Sequence, residues 1–307
     1  MKLTHIIESQ QFNVPMLMEL FELTHQMEKI AARGGTQDYH NKIMGLLFYE
    51  PSTRTRFSFE TAMLRLGGKV LSTERAREFS SFFSSDSLED AIRVVSQFVN
   101  VLVLRHIEMG SAKRASLVSS VPIINAGDGM GQHPTQALLE LYTIYKELNH
   151  LDGVLVALVG NLKEGRTARS LSYLLGKFDR VKIYFVAPQK VQIGSDICDY
   201  LERHNIWYEK TGELDKVLSE VDVVYMTRIE KEKLSSTRKK AESTVKKYQI
   251  DKKSLQKLPQ KSIILHPLPR LHEIDPAVDT DPRAVYFKQV QYGVHVRMAL
   301  LATIFQS

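Results

Sequence analysis

Cysteine is nearly absent from this chain: there is one, Cys198, in 307 residues. That excludes an internal disulfide framework and suits a reducing compartment, so a cytoplasmic protein is expected. The lone thiol reads as a small, half-buried residue rather than a nucleophile. Long hydrophobic runs are absent as well. No window approaches the roughly 18 apolar residues that a membrane span needs, so no membrane is expected as a partner. The opening stretch, MKLTHIIESQQF, has no long apolar core and no small-residue cleavage site, and a signal peptide is not expected. Internal repeats, low-complexity tracts and a G-x-G-x-x-G dinucleotide fingerprint are also missing.

What is there is the composition of a globular protein, 43% hydrophobic and 25% charged, with 16 Gly and 10 Pro. The length suffices for two ordinary domains. The net charge of +6 invites a nucleic-acid reading, but its distribution argues against one. Residues 228–253 hold ten Lys/Arg against four Asp/Glu, the whole excess, with Tyr248 as the only aromatic. A platform for bases needs aromatics among its cations. A solvated basic loop is expected instead, and no nucleic acid.

Short apolar runs at 43–48, 101–104, 122–125, 154–159, 181–186, 221–226 and 262–265 read as strands buried on both faces. Amphipathic helices are expected between them, at 57–66, 88–98, 135–148 and 167–178, with a last apolar helix at 294–305. Ser87 and Asp90 open the second as a capping box, and Pro134 stands in the first turn of the third. This alternation predicts an α/β protein of two doubly wound parallel-sheet domains. The break is expected near residues 130–150.

In open parallel sheets, ligands bind beyond the carboxyl ends of the strands. The residues after each expected strand are therefore informative. They are Tyr49 to Arg56, Arg105-His106, Gln132-His133-Pro134-Thr135-Gln136, Gly160 to Thr167, Thr227-Arg228, and His266-Pro267-Leu268-Pro269-Arg270. Arginines, histidines and hydroxyls recur at one end of strand after strand, which describes an interdomain cleft for something polyanionic. Ser52 suits an N-cap, and Thr53, Arg54 and Thr55 then fall in a first turn, beside amides without intrahelical partners. That is a phosphate site with hydroxyls and a guanidinium added.

Gly160 to Thr167, GNLKEGRT, nearly fits a nucleotide phosphate loop, but Arg166 stands where lysine belongs, and the two are not interchangeable there. No strand ends in a magnesium-holding Asp either. In HPLPR, two prolines remove donors and fix the carbonyls of Pro267 and Leu268 as acceptors, which suits a substrate NH₂ group. His266 fits equally as a hydrogen-bonded core residue.

Phe48 to Arg56 resembles the carbamoyl-phosphate signature of the aspartate/ornithine carbamoyltransferase family. HPTQ (133–136) and HPLPR (266–270) are similar to two further motifs of it. GRT, YMTR and the closing GVHVRMALL resemble the aspartate branch. The resemblance covers essentially the whole chain. It implies a carbamoyl-phosphate domain at 1–134, completed by a returning helix at 291–307, and an amino-acid domain at 135–290. It also implies homotrimers with shared active sites, no metal and no cofactor. The implied reaction carbamoylates the amine of aspartate in pyrimidine biosynthesis. Ser52, Thr53, Arg54 and Thr55 would hold the phosphate. Thr55, Arg105 and His133 would polarise the carbonyl and stabilise the oxyanion. Gln136 and the carbonyls of Pro267 and Leu268 would bind the carbamoyl NH₂, and Arg166 and Arg228 the carboxylates of aspartate. A shared loop would bring Ser80 and residue 84 to the neighbouring site.

Two positions depart from the family pattern. Ser84 stands where the loop lysine belongs, and Glu230 replaces a glutamine two residues after the TR arginine. One change removes a positive charge and the other adds a negative one, so the pocket is about two charges less positive than the family pattern; one charge-assisted contact is worth roughly 1.5–3 kcal/mol. Three readings stay open: aspartate with Arg75, Arg77 or Lys163 replacing the lysine, a less acidic amine acceptor, or a weakly active homologue serving as a binding partner.

Overall fold

The computed structural model describes residues 3–74, 87–229 and 243–306. Ser80, Ser84 and Glu230, together with Arg75, Arg77, Phe82 and Phe83, lie outside the described residues. The chain divides into two compact units, one of residues 1–139 with 290–307 and the other of residues 140–289.

The first unit contains α1 (Val14–Ala32), β1 (Ile43–Phe48), α2 (Thr53–Arg65), β2 (Lys69–Glu74), α3 (Leu88–Val95), β3 (Val101–His106), α4 (Ser111–Val118) and β4 (Ile123–Asp128). Its four strands are parallel in the order β2-β1-β3-β4. Strands β3 and β4 are buried along their whole length, the polar residues Arg105, His106, Asn125 and Asp128 included. Leu47, Ile92, Leu102, Leu104 and Ile123 form one core cluster against α3 and α4.

α5 (Pro134–Leu148) follows, and the division between the units falls inside it, after Leu139. The second unit continues with β5 (Leu155–Val159), α6 (Arg166–Leu175), β6 (Lys182–Val186), α7 (Ser195–Arg203), β7 (Trp207–Thr211), α8 (Leu214–Val217), β8 (Val223–Met226), α9 (Lys252–Lys257) and β9 (Ile263–Leu265). These five strands are also parallel, in the order β7-β6-β5-β8-β9. The last helix, α10 (Lys288–Gln306), belongs to the first unit from Val290 onward.

The structure corrects several expectations. β2 and β7 were not foreseen. Both are edge strands, and their mostly exposed or half-buried residues carry no apolar run. α2 begins at Thr53 with Ser52 at its N-cap, as the motif implies, although the apolar pattern alone begins four residues later because the first turn is polar. The helix expected at 88–98 ends at Val95, and Phe98 is 60% exposed rather than on its buried face. Ser96 closes it, its hydroxyl donating to the Ile92 carbonyl at 2.6 Å. Half of the expected capping box forms: Ser87 Oγ accepts from the Asp90 amide at 3.1 Å, while the Asp90 carboxylate accepts from the Ser87 hydroxyl at 2.9 Å. Cys198 is buried, and its thiol faces the Gly194 carbonyl.

Each sheet has one point where the chain reverses its winding direction. In the first it lies between β1 and β3, and in the second between β5 and β8. Such points open a crevice at the strands' carboxyl ends.

Candidate active site

In the first unit, β1 delivers Tyr49 to Thr55 to the switch point. The helical ladder of α2 begins with the Arg56 amide donating to the Ser52 carbonyl at 3.0 Å. The amides of Thr53, Arg54 and Thr55 precede it and have no intrahelical acceptor. Thr53 and Arg54 are exposed, Ser52 is half-buried and Thr55 is buried. The Ser52 hydroxyl does not cap the backbone as expected; it donates to Thr55 Oγ1 at 3.0 Å. Two hydroxyls are thus linked at the positive end of a helix dipole, a ready anion site.

The placement of α2 has identifiable causes. Its far end turns at Gly67, whose φ of +85° suits glycine. Its buried side is held by Arg297 of α10, whose Nη1 donates to Ser58 Oγ at 2.8 Å while the guanidinium lies 4.9 Å from the Phe59 ring centre. At its start, Glu74 at the end of β2 accepts the Ser52 amide at 3.2 Å and pairs with Arg56 at 3.3 Å. Arg56, the second arginine of the motif, is therefore a clamp within the unit.

Across the switch point, Arg105 stands near the end of β3 and is 8% exposed. Its Nη1 donates to the Ala126 carbonyl at 3.1 Å, and its Nη2 pairs with Glu50 at 2.9 Å. The guanidinium plane is fixed by these two contacts. His133 is buried just before α5, and its carbonyl accepts the Gln136 and Ala137 amides at 3.0 and 3.1 Å. Asp128 holds the loop ahead of it. One carboxylate oxygen accepts the Gln132 amide at 2.7 Å, and the other accepts the Gly110 amide at 2.8 Å. Gln136 is half-buried in the first turn of α5. The first unit therefore gathers Ser52, Thr53, Arg54, Thr55, Arg105, His133 and Gln136 on segments at the carboxyl side of its sheet.

In the second unit, β5 and β8 carry the loops with Arg166 and Arg228. Arg166 is half-buried at the first position of α6, and Arg228 is exposed. The two strand ends are tied together. Val159 accepts both the amide and the hydroxyl of Thr227, at 2.7 and 2.9 Å, and the Asn161 amide donates to the Arg228 carbonyl at 3.1 Å. The crossing is close enough to require glycine at 160, where φ is +130° and a Cβ would lie 2.1 Å from Thr227 Oγ1.

Beyond β9, His266 is 1% exposed and fits the core role as well as any other. Its Nδ1 accepts the Leu268 amide at 2.7 Å, which puts the ring proton on Nε2, 2.8 Å from Glu273 Oε1. Burial holds the ring's pKa below 6.5; the Glu273 hydrogen bond opposes this, and the charges of Arg228 and Arg270 reinforce it. Burial alone would raise the Glu273 carboxyl. Hydrogen bonds from His266 and the local backbone keep it below 4.5. Pro267 and Leu268 are half-buried. Arg270 of the same motif is bound within the unit by Asp279 and Tyr286.

Glu50, Glu74, Asp128 and Glu273 were not foreseen as parts of the site. Each is a carboxylate that orients an expected residue. Glu50 lies within the Phe48–Arg56 motif, Asp128 and Glu273 lie close in sequence to the segments they hold, and Glu74 reaches Ser52 across 22 positions of chain. Among the described residues, no group of three or more His, Cys, Asp and Glu is arranged to hold a metal, and no helix is long and apolar enough to cross a membrane.

Comparison with known proteins gives matching results along the whole chain. Residues 4–146 match the family model "Aspartate/ornithine carbamoyltransferase, carbamoyl-P binding domain", and residues 152–304 match its "Asp/Orn binding domain" counterpart. The chain is similar to the chloroplastic aspartate carbamoyltransferase of Arabidopsis thaliana, with 50% identity over 98% of this chain and 77% of that protein. It is similar in structure to the catalytic subunit of M. jannaschii aspartate transcarbamoylase, with a TM-score of 0.93, 43% identity, and coverage of 99% and 98% of the two chains. The Trypanosoma cruzi aspartate transcarbamoylase in complex with carbamoyl phosphate and aspartate matches with a TM-score of 0.91, 37% identity, and coverage of 99% and 97%.

Proposed function

The chain belongs to the aspartate/ornithine carbamoyltransferase family, and from that premise we propose that it transfers the carbamoyl group of carbamoyl phosphate to the amine of aspartate. The observation that carries this is the sorting of charge between the two switch points. The β1/β3 point offers helix-start amides, hydroxyls and a fixed guanidinium. The β5/β8 point offers two arginines on tied strand ends. The first suits a phosphate with an adjacent carbonyl, and the second suits a dicarboxylate.

Ser52, Thr53, Arg54 and Thr55 take the phosphate. Thr55, Arg105 and His133 face the carbonyl oxygen, while Gln136 and the carbonyls of Pro267 and Leu268 take the NH₂ group. Arg166 and Arg228 hold the acceptor's carboxylates. The amine nitrogen bonds to the carbonyl carbon, and the oxygen becomes an oxyanion stabilised by those fixed donors. The oxyanion then collapses, the bond from carbon to the phosphate oxygen breaks, and phosphate leaves, taking up the proton that the nitrogen gives up. Positioning two bound reactants supplies much of the rate.

Radiolabelled carbamoyl phosphate offered with aspartate, and with a panel of other amino acids and diamines, tests this. Turnover is expected with aspartate. Turnover only with a less acidic amine would move the assignment to another acceptor, the reading that Ser84 and Glu230 keep in view.

The family resemblance also supports a homotrimer with shared sites. An open apolar groove of about 430 Å³, lined by Leu71, Val94, Val95 and Phe98 among others, is the surface we assign to a second copy. Sedimentation should then give three times the chain mass of 35.1 kDa, and Phe98→Asp should yield monomers with little turnover. A fully active monomer would end this reading. The single buried thiol supports placement in the cytoplasm, which cell fractionation checks.

A further inference from the structure

The second unit contains a polar chain that the proposed reaction does not use. Tyr225 of β8 and Glu140 of α5 are both 0% exposed. The Tyr225 hydroxyl donates to Glu140 Oε1 at 2.7 Å. The Thr167 hydroxyl meets the same phenol. With the Tyr225 proton committed to Glu140, Thr167 is the donor in that contact. The run is Thr167 to Tyr225 to Glu140, three groups from three elements of one unit.

A buried phenol and a buried carboxyl are costly unless each is hydrogen-bonded. Their position gives the arrangement a consequence. Thr167 directly follows Arg166 in the first turn of α6. Tyr225 precedes Arg228 by three residues, at the end of β8. The backbone bonds from Thr227 to Val159 and from Asn161 to Arg228 join the strand ends. Those bonds involve no residue of the first turn of α6. Its N-cap residue, Gly165, has no side chain to cap it. A hydroxyl bridge from that turn to the β8 phenol, anchored on a buried carboxylate, ties the turn to β8 through side chains.

We propose that the Thr167–Tyr225–Glu140 chain positions Arg166 and Arg228 relative to each other, and so sets how tightly the acceptor's two carboxylates are gripped. The proposal rests on the reading of those arginines given above. Tyr225, Thr167 and Glu140 are positioning residues that touch no substrate. The chemistry they serve is recognition of a dicarboxylate, whose two charged ends need two guanidiniums at one set spacing.

The test compares the wild-type enzyme with Tyr225→Phe, Thr167→Val, Thr167→Ser and Glu140→Gln. The readouts are KM for aspartate, kcat, binding of carbamoyl phosphate, and binding of succinate, which is aspartate without its amine. Tyr225→Phe and Thr167→Val should raise the aspartate KM and weaken succinate binding by about tenfold to a hundredfold, the scale of a misplaced binding group. Carbamoyl-phosphate binding and kcat at saturating aspartate should stay within about threefold, since neither is set by this spacing. Thr167→Ser keeps the hydroxyl and Glu140→Gln keeps the acceptor oxygen, so both should stay close to wild type. Wild-type turnover of aspartate checks the underlying reading separately. Given that turnover, an unchanged aspartate KM in the Phe and Val variants overturns the proposal. So does a uniform loss in which carbamoyl-phosphate binding falls equally. If Tyr225→Phe fails to fold, the contrast between Thr167→Val and Thr167→Ser decides: equal KM values for those two refute it.

Discussion

Replacing Glu273 by glutamine should destabilise the second unit and loosen the segment that presents the Pro267 and Leu268 carbonyls. In the native site one carboxylate oxygen accepts Nε2–H of His266 at 2.8 Å, and the other accepts the Leu271 and His272 amides at 3.1 and 3.0 Å. Glutamine has a single acceptor oxygen, so whichever side it serves, its NH₂ group meets a donor on the other. One or two hydrogen bonds to a charged acceptor are lost, at roughly 1.5–3 kcal/mol each. The His266 and Glu273 side chains are 1% and 4% exposed, so solvent screens little of this. A loss of about 3 kcal/mol lowers Tm by roughly 6–12 °C for a unit of this size. Calorimetry reads that shift. A rise of about tenfold in KM for carbamoyl phosphate should accompany it. A Tm within about 2 °C of wild type together with an unchanged KM would refute the reasoning. The same pair sets an acid limit. His266 has its folded pKa below 6.5, so its contribution is complete above 6.5 and is lost as pH falls through the folded value. Glu273 has its folded pKa below 4.5, so its contribution is present above 4.5 and is lost further down. Stability should therefore be flat toward neutral pH and decline on acidification from about 6.5.

Three further outcomes are expected. Glu74→Gln keeps an acceptor for the Ser52 amide but removes a carboxylate beside the start of α2; if that start takes the phosphate as proposed, inorganic phosphate should bind up to about fivefold more tightly by calorimetry, a partly exposed charge being worth about 1 kcal/mol or less, and weaker binding would contradict it. Asp128→Asn sets an NH₂ group against a backbone amide that the carboxylate now accepts, either Gln132 or Gly110; the loop carrying His133 should loosen and kcat should fall by about tenfold or more, so an unchanged kcat counts against the assigned role. Ser84→Lys restores the family's loop cation and should raise aspartate turnover about tenfold; no change would argue against that loop reaching an active site.

Much of the fold could be read from the chain because its central strands are buried on both faces. Runs such as Ile43–Phe48 and Leu155–Val159 are apolar without alternation, which is what a helix-covered parallel sheet demands. The two strands that escaped notice lie at the sheet edges. Lys69–Glu74 and Trp207–Thr211 face solvent enough that polar residues interrupt every apolar pattern. Helix ends escaped for a different reason. The end of α3 at Val95 goes with one hydrogen bond, from the Ser96 hydroxyl to the Ile92 carbonyl, which leaves no period in the sequence.

The site divides along the same line. Its cations and hydroxyls were legible because they follow apolar strands directly, and a strand's carboxyl end is a fixed address in this architecture. The residues that hold them were not. Glu74 comes from the end of an unseen edge strand to reach Ser52 and Arg56. Glu140 is joined to Tyr225 across 85 positions of chain. In both, the two partners carry no shared motif, and only the folded chain makes them neighbours. A net charge of +6 therefore describes the surface and says little about the interior. Around the candidate site, acceptors such as Glu50 and Asp128 meet the donors that must be aimed, and a guanidinium held in place before substrate arrives has less orientational freedom left to lose on binding.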